Sequence, residues 1–203
     1  FKNELSITKN KKNYLLIGKS FDAEDLIETL SNSDDDKNFF SIFKNLNSKI
    51  DLKIENVKLD KFNEIQKSKG FLKIKNNIIF DLDITSKFNN REKLFFIKKM
   101  EKDKSVITNF YSDRAKPFVK KYKFIKGFEK GNIVFHSKKV NNKTRSRLVI
   151  DNFKVKEIPI LAKLLTLASL QGIADLLTGE GIRFTDFEMN YTNEGNLMTI
   201  EEI

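Results

Sequence analysis

The chain has 203 residues, 39% of them apolar, with 19 Phe, 2 Pro, 8 Gly and no Cys. That balance excludes collagen-like and low-complexity chains, disulfide frameworks, thiolate nucleophiles and Cys-based metal sites. The net charge of +10 directs attention to anionic partners. Residues 156–203 nevertheless carry 3 Lys/Arg against 8 Asp/Glu, so the excess positive charge sits upstream. It is nearly all Lys, with five Arg in the whole chain. A nucleic-acid interface calls for clustered Arg with aromatic platforms. The Lys are scattered singly instead, which reads as a solvated face with a weak pull toward anionic lipid head groups.

In chain order, Leu5–Ile7 and Tyr14–Ile17 read as short strands around a turn at 9–13. Ser20 or Asp22 is a candidate N-cap for a short amphipathic helix running to about Leu30. The three Asp within 31–38 mark a solvated loop, and Phe39 to Leu46 an apolar helical or irregular segment. From Lys49 the apolar period becomes two: Ile50, Leu52 and Ile54, then Val57 and Leu59 in the opposite phase. A β-bulge near Glu55–Asn56 is the expected cause. Phe71–Ile74, a turn at Lys75-Asn76-Asn77, and Ile78, Phe80, Leu82 and Ile84 form a hairpin. Leu94–Ile97 and Val106–Tyr111 make a further strand pair, and Ser112 opens a short helix to Tyr122. Ile133–Val140 and Arg147–Val155 flank a turn at Asn141-Asn142, with a second phase shift near Asp151–Asn152. Ile182–Tyr191 and Leu197–Ile203 flank the last turn, at 193–196. The chain starts and stops inside alternating stretches. Both ends are therefore expected to be cuts in a longer polypeptide, with any membrane anchor outside these residues.

Residues 158–178 stand apart. Pro159 suits a first helical turn, and Gly179 suits a C-terminal cap. Leu161, Leu164, Leu165 and Ala168 share one helical face; Leu170, Ile173, Leu176 and Leu177 share another. Lys163, Gln171 and Asp175 argue against a membrane span. A core helix and a lipid-contacting helix both fit this pattern.

The run Pro159, Leu161-Ala162, Leu164-Leu165, Leu167-Ala168-Ser169-Leu170, Gly172, Gly179, Gly181-Ile182 and Phe184 resembles the AsmA-like C-terminal region. That family comprises long bacterial envelope proteins of the AsmA, TamB and YhdP type, and the YhdP-like branch is nearest. The specific part of the likeness covers 112–203, with Ser112-Asp113, Gly131 and Leu148–Val155 as its lead-in. The resemblance implies a periplasmic protein of a Gram-negative bacterium, anchored in the inner membrane by a segment absent from this chain. It also implies a role in outer-membrane biogenesis. The implied fold is mainly β with a few helices (α+β): a curved antiparallel sheet of successive hairpins, apolar inside, with the apolar helix near its C-terminal end. The segments expected are 1–48, 49–111 and an AsmA-like region at 112–203.

The implied function is guidance of phospholipid between inner and outer membranes along an apolar β groove. Candidate lipid contacts are Phe80, Leu82, Ile84, Phe135, Leu148 and Ile150 on strands. Leu161, Leu164, Leu165, Leu176 and Leu177 are candidates on the helix. A β-rich envelope scaffold with a closed protein core is the alternative.

No catalytic residue, cofactor, metal or nucleic-acid partner is expected. His136 is the single histidine, Asp81 and Asp83 alternate on a strand face, and Ser20, Ser112 and the Gly179–Gly181 pair lack a nucleophile-elbow or phosphate-loop context.

Overall fold

The computed structural model describes residues 2–25, 46–89, 91–119, 126–157, 181–195 and 197–203. These form one open, curved sheet of eleven strands in the order of the sequence. The strands are β1 (Glu4–Asn10), β2 (Asn13–Asp22), β3 (Ser48–Lys58), β4 (Glu64–Lys75), β5 (Ile78–Phe88) and β6 (Glu92–Met100). The rest are β7 (Val106–Ser112), β8 (Lys126–Val140), β9 (Lys143–Glu157), β10 (Ile182–Glu194) and β11 (Leu197–Glu202). Hydrogen bonding is continuous across residues 48–49 and 111–112, because β2 pairs with β3 and β7 with β8.

The mainly β character is as expected, with one correction to the antiparallel pattern. β2 and β3 run parallel, from Asn13 opposite Lys49 to Asp22 opposite Lys58. Parallel neighbours need a crossover rather than a tight turn, and the connection, 26–45, lies outside the described residues with the loop and apolar segment expected there. The expected apolar helix 158–178 lies outside them too.

The tight turns follow from residues that tolerate the left-handed region. Asn76 and Asn77 have φ of 50° and 66°, the signature of a type I′ hairpin. Asn77 also accepts from Leu46 N–H at 2.6 Å, which ties the start of β3 to this turn.

One helical expectation is corrected and another is met as far as it is described. Asp22 ends β2 and its carboxylate accepts from Glu24 N–H at 3.1 Å, as an N-cap does, with Glu24 and Asp25 already helical; residues 26–30 are outside the described residues. The corrected one is the start of the second helix: Ser112 ends β7, and the helix that follows, α1 (Lys116–Val119), starts at Lys116, while the expected end at Tyr122 lies outside the described residues. The reason is competition for backbone groups. Asp113 N–H donates to Lys93 O at 3.0 Å, and Ala115 N–H to Gly131 O at 2.7 Å. These contacts pin 113–115 to β6 and β8, so a helix starts only beyond them.

Both phase shifts are present, but neither comes from an inserted residue. Ile54 and Val57 sit in one buried cluster, and Ile150 and Phe153 in another. Register is nonetheless unchanged across each site: Ile54 faces Ser68 and Asn56 faces Gln66, while Ile150 faces Ile133 and Phe153 faces Lys130. The switch comes from left-handed residues instead, Lys67 (φ 53°) across from Glu55, and Asn152 (φ 53°) across from Gly131 (φ 76°). A true register slip occurs between β4 and β5, at Gln66/Lys69 and Lys73/Ile74.

The two clusters share one face, the inner one. The first gathers Ala23, Ile54, Val57, Leu59, Ile65, Phe88 and Leu94. The second gathers Ala115, Val119, Phe128, Ile133, Ile150, Phe153 and Val155, and Phe110 and Phe118 pack against both. α1 thus closes the inner face at the end of the sheet away from the tight hairpins.

Candidate functional site: an apolar stripe on the inner face

The strand register builds a row that crosses the sheet. Leu16 stands opposite Leu52, Leu52 opposite Gly70, Gly70 opposite Ile84, and Ile84 opposite Phe96. Phe96 then faces Phe110, Phe110 faces Phe135, Phe135 faces Leu148, and Leu148 faces Met189. The row therefore spans β2 to β10 without a charged or polar side chain. At a strand spacing of about 4.8 Å it is ~38 Å long, over twice the ~15 Å depth of one leaflet's hydrocarbon. Every side chain in it is half-buried. Ring contacts continue along it: Phe96 and Phe110 meet edge-on at 6.1 Å, and Phe110 meets Phe118 at 4.7 Å.

On the α1 side of the stripe lies a buried row. Ile54 is followed by Ser68 and Ser86, joined by a hydroxyl hydrogen bond of 2.9 Å, and then by Leu94, Ser112, Ile133 and Ile150. The small side chains let α1 approach: Ser112 and Ala115 are fully buried. On the hairpin side the next row reads Ile50, Leu72 and Leu82, then Lys98, Thr108, Ser137, Ser146 and Tyr191. The half-buried stripe thus lies between a closed core and a row that turns polar beyond β5.

The sequence-derived candidates separate by row. Ile84, Phe135 and Leu148 fall in the stripe itself. Leu82 (4% exposed) and Ile150 (5% exposed) fall in the flanking rows and are buried. Phe80 is half-buried at the slip between β4 and β5. Leu161, Leu164, Leu165, Leu176 and Leu177 lie outside the described residues, as do Pro159, Ala168, Ser169, Leu170, Gly172 and Gly179. Of the family-like residues that are described, Gly181 immediately precedes β10 at φ +88°, where a Cβ would come within 2.9 Å of Val155 O. Phe184 stacks on Phe153 at 5.0 Å, and Phe153 on Phe128 at 5.1 Å. Phe184 thus packs on the buried cluster beside the stripe.

Leu16, Leu52, Phe96, Phe110 and Met189 were not among the candidates. Strand alternation marks each as lying on one face of its strand, but only the register brings them into line.

The polar candidates have structural partners. Asp81 pairs with Lys73 at 2.6 Å. His136, on the outer face, meets Asn109 Oδ1 at 2.7 Å. Ser20 donates to Lys2 O at 2.6 Å and Ser112 to Arg114 O at 2.8 Å. The outer face holds a recess of about 540 Å³ lined by His136, Lys138, Arg145, Arg147, Asn190 and Glu202, among others. Arg147 is neutralised there by a two-pronged contact with Glu188 at 2.7 Å, which holds the Glu188 carboxyl down at about 2. Among the described residues no group of three or more His, Cys, Asp or Glu could hold a metal, and no helix is long and apolar enough to cross a membrane.

No family model, no curated protein and no solved structure matches the chain.

Proposed function

We propose that this chain is a non-enzymatic, lipid-handling segment of an AsmA-like envelope protein. In this reading it binds phospholipid acyl chains along the inner-face stripe and guides them between the inner and outer membranes. The observation that carries it is the unbroken register from Leu16 to Met189, apolar throughout and half-buried in every side chain. A closed core would bury such a row; a polar channel would interrupt it. An acyl chain laid on it exchanges one apolar environment for another, at ~0.8 kcal/mol per methylene kept from water. The positions of Ile84, Phe135 and Leu148 in the row support the groove.

A second reading, a β-rich envelope scaffold, is favoured by the burial of Leu82 and Ile150 on either side of the stripe. Lipid extracted from protein purified out of an envelope separates the two. On the lipid-handling reading, Phe96→Glu and Phe135→Glu each reduce the phospholipid that copurifies, and Ile97→Glu on the outer face leaves it unchanged. Protein that copurifies without phospholipid, and is indifferent to all three changes, is the scaffold.

A further inference from the structure

The topology sends the hairpin turns β1–β2, β4–β5, β6–β7, β8–β9 and β10–β11 to one end of the sheet. Two of these hairpins are strongly basic. Between the stripe and the turns, residues 97–109 hold four Lys against Glu101 and Asp103, and residues 136–147 hold five Lys/Arg and no acid. These two neighbouring hairpins therefore carry a net +7, of which Arg147 is paired with Glu188. Lys102, Lys104, Lys138, Lys139, Lys143 and Arg145 are all exposed. The flanking β10–β11 pair is acidic, with Glu194 at its turn and Glu201 and Glu202 at the end of β11, which bounds the basic seat on that side.

The same two tips expose aliphatic side chains among the lysines: Met100 is 43% exposed and Val140 47%. Lysine mixed with exposed aliphatic groups suits the head-group and interfacial zone of a bilayer. A nucleic-acid strand would call for aromatic platforms instead, and neither of these turns holds an aromatic residue. At the opposite end, among the described turn residues, Phe62 is the exposed large apolar side chain.

We propose that the β6–β9 hairpin tips dock this chain on an anionic lipid bilayer, the lysines lying on head groups and Met100 and Val140 entering the interfacial zone. The docking is independent of the stripe: a stripe that held no acyl chain would leave it standing.

The test is flotation of the full chain with vesicles of phosphatidylcholine alone, or mixed with phosphatidylglycerol, at low and high salt. Binding is expected to require phosphatidylglycerol and to weaken with salt. Lys138→Gln, Lys139→Gln and Lys143→Gln each lower it by about fivefold. Met100→Ser with Val140→Ser lowers it at every salt concentration. Lys61→Gln with Lys87→Gln and Arg91→Gln, at the far end, leaves it unchanged. Far-ultraviolet circular dichroism confirms that each variant keeps the β signature. Equal binding to both vesicle types, equal loss from the far-end variant, or tighter binding to duplex DNA than to the anionic vesicles overturns the proposal.

Discussion

Phe153 on β9 and Phe184 on β10 stack nearly face to face, their rings 5.0 Å apart and 8° from parallel. The stack exists because Asn152, in the left-handed region, turns Phe153 onto the face that Ile150 already occupies. Phe153→Ala is expected to cost about 3–5 kcal/mol, since it empties the centre of a three-ring column. Urea unfolding checks this. A loss below about 1 kcal/mol would place the ring outside the core.

Gly70 is the gap in the stripe, and its backbone requires it. At φ +153° a Cβ there would lie 1.8 Å from the Asp83 carbonyl oxygen. Gly70→Ala is expected to cost roughly 3 kcal/mol through strain and forced separation of β4 from β5. The midpoint of urea unfolding reads it directly.

The Ser68–Ser86 hydrogen bond is buried, with the two residues 3% and 4% exposed. Ser86→Ala alone leaves a buried hydroxyl without this partner, at about 1–2 kcal/mol. Removing both hydroxyls is expected to cost no more than removing one, and a double-mutant cycle shows this as a strong coupling.

The Glu188 carboxyl is held at about 2, below its ordinary 4.5, first by the Arg147 hydrogen bonds and then by Asn190. A depressed carboxyl stabilises the fold above its unfolded value, and that contribution is lost as pH falls through the folded one. Stability is therefore expected to fall between about pH 4.5 and pH 2, and Glu188→Gln to make that fall shallower. Thermal unfolding followed across this range checks the sign.

Much of the sheet was legible because its signals are local. Asn76-Asn77 and Asn141-Asn142 announce turns through residues that accept positive φ, and Ile78 to Ile84 announce a strand through alternation. The phase reversals at Val57 and Phe153 were also legible. Their cause was not: Lys67 holds a left-handed conformation with nothing in its residue type to mark it.

The parallel pairing of β2 with β3 has no local signature, because it depends on a connection rather than a turn. The stripe was half legible for a related reason. Ile84, Phe135 and Leu148 lie on cleanly alternating strands, whereas Phe95-Phe96 puts an aromatic ring on each face and hides which one joins the row. Opposition across strands is a property of register, which alternation within one strand leaves open.

The central claim is that the inner-face stripe contacts lipid. A photo-crosslinking residue at Phe135, with outward-facing His136 as control, tests it most directly in the protein within a bacterial envelope. Phospholipid adducts at 135 and none at 136 are predicted. Adducts at 135 only to protein, or lipid adducts in equal yield at both positions, would contradict it.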